Sequence, residues 1–520
     1  MISIPELSHI GNNLKDNFKK DIRKHGEEPY GYFISINRAI IRDIAIYLHD
    51  HGANFINIFA NDMGEKFELF YEYFMGAVIN EKKYIFVRTE VDKKAGEIDS
   101  IEIVFPQALR IEKELEKRYG IRFILFSEEL EKGLFVIPHH LPEKDFALNM
   151  LPLGIFNKVH LSSNYFSLQL DKFDNIVAVS QRTGWLYRGI TELLKKKNLF
   201  TENLKLTKRI CYPSSFHHNL AYIMAVEQLL EIELNERIKL IRTFLCELER
   251  YENTIIFFAN LFFLLGYKNK YFSLLKAREE LLNIYRECFD IRFLDDLNLI
   301  GGCKNISAEQ AEYVNIRLIE FLNDKYELIN QFIFRNYILN RCGGIGVLEK
   351  KDALDSGVTG HCLRGSGIRY DIRYEKPYLS YNDKYIAKVW DVATSDECDV
   401  MGRILVKLFD MSSSIRIIQK VSEKLMEDDL TLEVIDFSTK KLPADKIAIA
   451  QVESPTGGEL TYYLKTADRP GKVFLGGVYI STPSLKNFLA LNDYILKGNN
   501  VKDFNLIVHS MDLNFHEIDL

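Results

Sequence analysis

No Cys-x-x-Cys pair occurs anywhere in this sequence, and its seven cysteines, Cys211, Cys246, Cys288, Cys303, Cys342, Cys362 and Cys398, lie far apart. That spacing excludes a small disulfide scaffold and an iron–sulfur cluster held by this chain alone, and the odd count fits a reducing cytoplasm. Positive charge is not in excess either: 67 Lys+Arg against 73 Asp+Glu give a net charge of -6, so nucleic acid is not an expected partner. Long apolar runs are missing. The greasiest window, Asn253 to Tyr267, holds fifteen uncharged residues, short of the roughly 20 that cross a bilayer, and reads as a buried core helix. Met1 to Lys19 has no apolar core of the signal-peptide kind. No G-x-G-x-x-G is completed, since Gly344-Ile345-Gly346 is followed by Glu349; a glycine turn is the reading, and no dinucleotide site is expected.

What is present is the composition of a folded protein, 47% hydrophobic and 27% charged over 520 residues, enough for two to four domains. The patterning predicts an α+β fold in two parts. A small α/β unit spans residues 1–145, with strand-like runs at Phe55 to Phe59, Lys83 to Thr89 and Ser100 to Phe105 and a helix from about Phe105 to Tyr119 before Gly120. A larger, mainly helical unit spans 146–520. It opens with a hairpin, Tyr165 to Asp171 and Asn175 to Val179, and nearly everything from Gly189 to Lys350 reads as helix. In Val226 to Leu248 the residues Leu229, Leu230, Ile232, Leu234, Ile238, Ile241, Leu245 and Leu248 recur at three- and four-residue steps, the mark of a bundle core. Strands return at Ile447 to Val452, Leu460 to Leu464 and Lys472 to Leu475, followed by a helix and a strand-like run, Phe504 to His509.

Single polar residues carry little weight here. His139–His140 and His217–His218 are adjacent pairs, and helix neighbours point about 100° apart, so neither pair grips one metal; both read as surface or core histidines. The informative signal is an ordered series of motifs. Gly184-Trp185-Leu186-Tyr187-Arg188-Gly189-Ile190 precedes Arg209-Ile210-Cys211-Tyr212-Pro213-Ser214, which runs into His218 and Ala221 to Glu227. Later come Gly357-Val358-Thr359-Gly360, Leu363-Arg364-Gly365-Ser366-Gly367, Asp371-Ile372-Arg373, Pro377-Tyr378, Glu453 to Glu459 and a tail from Ser510 to Asp519.

The series resembles the large catalytic subunit shared by membrane-bound NiFe hydrogenases and the 49-kDa-type subunit of respiratory complex I. The first unit resembles the 30-kDa-type subunit fused in front, through Ile111-Glu112-Lys113-Glu114 before Tyr119-Gly120-Ile121. A NiFe centre takes four thiolates from two Cys-x-x-Cys pairs. At the matching positions this chain keeps Cys211 and has Ser214, Asn514 and Glu517, so the resemblance implies that hydrogenase activity and the metal are gone. It implies instead a metal-free cavity lined by Cys211, Ser214, His160 and Glu192. Tyr212 matches the complex I tyrosine that hydrogen-bonds a quinone carbonyl, and a phenol with pKa about 10 can donate there; a plain core aromatic is the alternative. The quinone-facing histidine falls on Leu161, beside His160, and its aspartate partner on Leu264. Tyr187, Thr191 and His361 replace further motif residues, with Glu192 one position late for the family's carboxylate. Arg364, Asp371, Arg373, Asp399 and Arg403 are framework positions, read as buried ion pairs or a subunit interface.

The resemblance further implies a partner iron–sulfur subunit with a 4Fe-4S cluster, ion-translocating membrane subunits, NAD bound elsewhere in such a complex, and attachment to the cytoplasmic face of the membrane through partners. No cofactor or metal is expected on this chain itself. A redox-silent subunit coupling the peripheral part to the membrane part is the other reading.

Overall fold

The computed structural model describes residue 18 and residues 20–28, 31–75, 84–94, 96–105, 108–125, 150–153, 165–182, 186–427, 434–436 and 440–520. His139, His140, His160, Leu161 and the boundary placed at 145 lie outside them. The first unit contains β1 (Ile22–Glu28), β2 (Gly31–Ile36), α1 (Ile41–Asp50), β3 (Ala53–Asp62), β4 (Lys66–Met75), β5 (Tyr84–Asp92), β6 (Glu97–Asp99), α2 (Ala108–Tyr119) and β7 (Arg122–Ile124). Its main sheet has the order β1-β2-β5-β4-β3, antiparallel except for the parallel β2–β5 pair. Helix α1 buries Ile41, Ile44, Ala45 and Leu48, the spacing of one helical face.

Ser100 to Phe105 is not a strand. The ladder is confined to β6, and the residues after it turn, Val104 and Phe105 donating to the Ile101 carbonyl. The apolar Ile101 and Phe105 are buried, and in so short a run the apolar pattern reports burial rather than backbone conformation. Helix α2 begins at Ala108 and ends before Gly120, whose φ of +72° suits a left-handed stop. Its Glu112 is fully buried and accepts from Ser100 Oγ and, at 3.0 Å, from the Ile101 amide, pinning that turn to the helix.

The second unit opens on β8 (Met150–Leu153), β9 (Tyr165–Leu170) and β10 (Ile176–Arg182) in the order β10-β9-β8. The Asp171 carboxylate accepts from the Phe173 and Asn175 amides, both at 2.8 Å, and builds the hairpin turn. The bundle follows as α3 (Ser215–Leu230), α4 (Glu236–Leu264) and α5 (Lys268–Phe289), with a two-strand ladder β11 (Asn298–Leu299) and β12 (Gly302–Cys303), shorter helices, and the long α6 (Val400–Leu425). The apolar repeat across Val226 to Leu248 is split between α3 and α4: Glu231 takes φ +52°, and Asn235 caps α4 by accepting from the Ile238 amide at 2.9 Å. Helix α4 carries most of the apolar window, and among the described residues no helix is long and apolar enough to cross a membrane.

A three-stranded sheet of β13 (Ile447–Ser454), β14 (Gly458–Thr466) and β15 (Leu475–Ser481) leads to α7 (Pro483–Ala490), α8 (Phe504–Ser510) and α9 (Phe515–Ile518). The third strand therefore starts at Leu475, the residue where the pattern predicts its end. Phe504 to His509 is helical rather than extended: Leu506, Ile507 and Val508 are buried on all sides, and a short run apolar all round does not distinguish the two backbones. The β13–β15 sheet packs against the main sheet of the first unit, with Phe33, Phe59, Phe70, Tyr84 and Phe86 meeting Ile449, Tyr463 and Tyr479. Buried polar pairs cross the same contact: Gln451 donates to Glu72, Asn57 to Ser481, and Lys465 lies 3.4 Å from Glu68.

At the centre of the second unit α4, α6, β13 and the segment 364–373 meet through buried charge. Arg364 forks onto Asp410 with two contacts of 2.9 Å, and Arg373 reaches Asp371 at 2.7 Å and Glu247 at 3.1 Å. Arg250 donates to the Glu453 carbonyl at 2.7 Å. Burial would raise the Glu247 carboxyl, but Arg250 and Arg373 hold it down to about 2. Nearby, Gly360 (φ +62°) and Gly457 touch back to back: a Cβ at Gly360 would stand 1.9 Å from the Gly457 carbonyl oxygen, which accounts for two of the glycine motifs.

Two outcomes are expected. Arg373→Met leaves Glu247, Asp371 and Asp410 short of a partner and should cost about 3–5 kcal/mol in denaturant unfolding. Burial pushes the Glu112 carboxyl up to about 7, so the folded chain binds this proton more tightly than the unfolded one. Wild-type stability is therefore lost as pH rises from the ordinary carboxylate range through 7. Glu112→Gln should gain on wild type by about 1.4 kcal/mol per pH unit across that window, and thermal unfolding at pH 5 and pH 7 reads the difference.

Candidate functional site

The loop before α3 is held from behind. Arg188 donates to the carbonyls of Arg209 at 2.9 Å and Ile210 at 2.7 Å, and to that of His516 at 3.4 Å, so one guanidinium ties the Cys211 loop to the C-terminal tail. Ser214 precedes the first turn of α3 but does not cap it. The cap comes from α4: Glu249 accepts from the Phe216 amide at 2.7 Å, the His217 amide at 3.0 Å and Ser215 Oγ at 3.2 Å, with His217 Nδ1 at 2.6 Å. A carboxylate there satisfies amides that the helix leaves open and faces the positive end of its dipole.

Ser214 is thereby free to turn inward, where it donates to Glu517 Oε1 at 2.8 Å. Glu517, on α9, also meets His218 Nε2 at 3.2 Å and accepts from Ser484 Oγ on Oε2. His218 Nδ1 lies 2.9 Å from the Tyr462 hydroxyl. Donor atoms of Cys211, His218 and Glu517 all lie within 4.8 Å of one another, and all three residues are buried. Burial would raise the Glu517 carboxyl, but the bonds from His218, Ser484 and Ser214 bring it below its ordinary value. Burial, and then the charge of Glu517, push the Cys211 thiol well up.

Tyr212 points the other way. Its side chain is 42% exposed, its hydroxyl donates to Glu252 Oε1 at 2.8 Å, and the Arg278 guanidinium lies 5.2 Å from the ring centre while contacting Glu252 at 3.0 Å. Tyr212, Ser215, Glu249, Glu252, Asn253 and Phe293 line a shallow depression at this face. Burial pushes the Glu249 carboxyl up to about 7 despite the bonds from Phe216, His217 and Ser215. Burial and the neighbouring Glu249 also push Glu252 upward, with the Arg292 charge opposing them.

Of the cavity residues expected from the sequence, Cys211 and Ser214 come together around Glu517 while Tyr212 sits at the neighbouring surface. Glu192 is elsewhere, exposed and paired with Lys195 at 2.6 Å, and His160 lies outside the described residues. Asn514 accepts from the His516 amide at 3.0 Å and caps α9. His217 and His218, one position apart, go to different carboxylates. Leu264 ends α4. Arg364, Asp371 and Arg373 form buried ion pairs. Asp399 instead caps α6 through the Gly402 amide at 2.9 Å, and Arg403 donates to Ser510 Oγ and the Gly346 carbonyl, each at 2.9 Å. Glu249 and Glu252 do not stand out in the sequence: they are on the next helix, and no local motif ties them to Tyr212. The donors around Cys211 are a hydroxyl, an imidazole and a carboxylate, a set that does not fit a centre needing four thiolates.

Comparison with known proteins agrees with this two-part plan. The respiratory-chain NADH dehydrogenase 30-kDa subunit family matches residues 34–128, and the 49-kDa subunit family matches residues 265–520. An NADH-quinone oxidoreductase subunit of Geobacter metallireducens is 28% identical over 367 residues, 66% of this chain and 92% of that one. Its counterpart in the NADH-quinone oxidoreductase of Chloroherpeton thalassium is 28% identical and covers 82% of this chain and 99% of its own. The carbon monoxide-induced hydrogenase of Rhodospirillum rubrum is 29% identical over 70% of this chain and 96% of its own. Among solved structures, a chain of an archaeal membrane-bound sulfane sulfur reductase superposes with a TM-score of 0.65 at 26% identity, covering 73% of this chain and 100% of that one. The chain thus belongs to the complex I type, with a 30-kDa-type domain fused ahead of a 49-kDa-type domain of respiratory-chain NADH dehydrogenase.

Proposed function

We propose that this chain is the large peripheral subunit of a membrane-bound respiratory complex, and that its Tyr212 face delivers protons to quinone or another small acceptor. A small partner subunit would bring electrons through a 4Fe-4S cluster. Membrane partners on the cytoplasmic side would use the released energy to move ions. The NADH-quinone oxidoreductase relatives support a quinone acceptor, and the sulfane sulfur reductase supports a small sulfur compound in its place.

The observation that carries this reading is the hydrogen bond from the exposed Tyr212 hydroxyl to the buried Glu252, with Glu249 beside it. When an acceptor takes up an electron pair its oxygen or sulfur becomes basic. A phenol at the surface can give that atom a proton and recover one from a carboxyl behind it. Glu252 and Glu249 therefore stand in for the histidine and aspartate replaced here by Leu161 and Leu264. Arg278 over the ring orients the phenol and offsets the carboxylate charge.

The second reading, a redox-silent coupling subunit, is favoured by the hydrogen-bonded closure of Ser214, His218 and Ser484 on Glu517.

In the intact complex, Tyr212→Phe should lower electron transfer to the acceptor roughly 100-fold. Assembly should be unaffected, and stability should change by about 1 kcal/mol, because Arg278 still pairs with the Glu252 carboxylate once the phenol bond is lost. Glu252→Gln should lower the same rate and flatten its pH dependence. Unchanged rates in both variants, measured with quinone and with a sulfane sulfur compound, would leave the coupling-subunit reading in place of this one.

A further inference from the structure

We propose that Cys211, His218 and Glu517 form a mononuclear site for a divalent metal ion of the zinc class. The proposal does not depend on the acceptor reading, since Tyr212 faces away from this cluster. Thiolate, imidazole and carboxylate are the three ligand types that zinc takes from proteins. Here they come from three places in the chain, the loop before α3, the first turns of α3, and α9, and their donor atoms gather within 4.8 Å. Tetrahedral bonds of about 2.0–2.3 Å set donor atoms roughly 3.3–3.7 Å apart, and His218 Nε2 and Glu517 Oε1 are already 3.2 Å apart.

The surroundings orient each ligand as a metal would require. The Tyr462 hydroxyl lies 2.9 Å from His218 Nδ1 and can accept a proton there, so that binding of the ion replaces the Nε2 hydrogen bond to Glu517 with a lone pair on the metal. Ser484 Oγ donates to Oε2 of Glu517 and Thr482 Oγ1 to its main-chain carbonyl at 3.0 Å, fixing the carboxylate with Oε1 inward. Arg188 fixes the Cys211 loop. Charge also balances: one thiolate and one carboxylate neutralise a divalent cation, and a buried site needs that balance. Ser214 Oγ, 2.8 Å from Glu517 Oε1, or a water is placed to take the fourth position. The missing thiolates exclude a nickel–iron centre, but they do not count against a single smaller site.

The test is the full chain purified with its native partners, its metal content measured by elemental analysis. The metal is then stripped with a chelator and Co2+ added. The expected result is about one zinc per chain, replaced by cobalt with a thiolate-to-cobalt absorption band. That band should be lost in Cys211→Ser and weakened in Glu517→Gln, and it should persist in Cys362→Ser, which alters a buried thiol elsewhere. Circular dichroism and unfolding temperature check that each variant is folded. Should Cys211→Ser fail to fold, the cobalt spectrum of the wild-type chain decides by the presence or absence of the thiolate band. Wild-type chain that neither carries zinc nor shows a thiolate band with cobalt overturns the proposal. So does a band that survives in folded Cys211→Ser, or nickel found together with iron. Tyr212→Phe should leave metal content unchanged, so loss of acceptor reduction and loss of the metal remain separable results.

Discussion

The buried charge network around Arg364 and Arg373 is the constraint on which the second domain is built. Three guanidinium groups, Arg250, Arg364 and Arg373, face the carboxylates of Glu247, Asp371 and Asp410 with almost no access to water. Burial and the charge of Asp371 push the fourth acid, Glu453, up to about 7, so the cluster can stay near neutrality. Such a cluster contributes little net stability against an apolar core of the same shape, but it is costly to leave incomplete. Its value is positional. Each arginine has fixed partners on different elements, so α4, α6 and β13 can meet in one register only. Because successive residues on α4 differ by about 100°, a helix locked through Glu247 and Arg250 turns Glu249 toward α3 and Glu252 toward Tyr212. The framework and the candidate site are opposite faces of the same helix.

The Cys211 region shows what a buried carboxylate requires. A carboxylate brought in without partners would be expelled or protonated. Glu517 is retained because Ser214, His218 and Ser484 all point at it, drawing together the start of α3, α7 and α9, while Tyr462 ties in β14. Ser214 can serve only because Glu249 has taken over the capping of α3. Two residues that look independent in the sequence, Ser214 and Glu517, are the two ends of one hydrogen bond.

Much of this was legible from residue patterns. The split into an α/β unit and a helical unit, the β9–β10 hairpin, the bundle core and the buried character of the apolar window all follow from periodicity and length. The motif series singled out Cys211, Ser214, Asn514 and Glu517, and the structure brings Cys211, Ser214 and Glu517 together although Ser214 and Glu517 are 303 residues apart in sequence. What was not legible depends on rotation and on distant partners. Ser100 to Phe105 and Phe504 to His509 are short and apolar, and burial alone fixes no backbone for such runs. The direction of Tyr212 was hidden because one position on a loop decides whether a side chain enters the core or leaves it. His217 and His218 are neighbours in sequence, yet they meet separate carboxylates on α4 and α9, beyond any local signal.

The contact between the two domains has the same logic in milder form. Its centre is aromatic, with Phe70 and Tyr463 rings 4.7 Å apart and Phe59 and Tyr479 rings 4.9 Å apart. Around this centre lie buried polar groups that depend on the other domain: Glu72 on Gln451, Glu68 on Lys465, Asn57 on Ser481. Burial and the charge of Glu459 push the Glu72 carboxyl up to about 8, as expected of an acid that water does not reach. Separating the sheets would expose the rings and strand these partners, so the aromatic patch supplies affinity and the polar pairs supply register. Placing both sheets on one chain makes their docking intramolecular, which raises the effective concentration of each for the other without a new contact. A contact that needs such register gains most from this. Fusion is thus a physical reason why the first domain can stay seated on β13–β15.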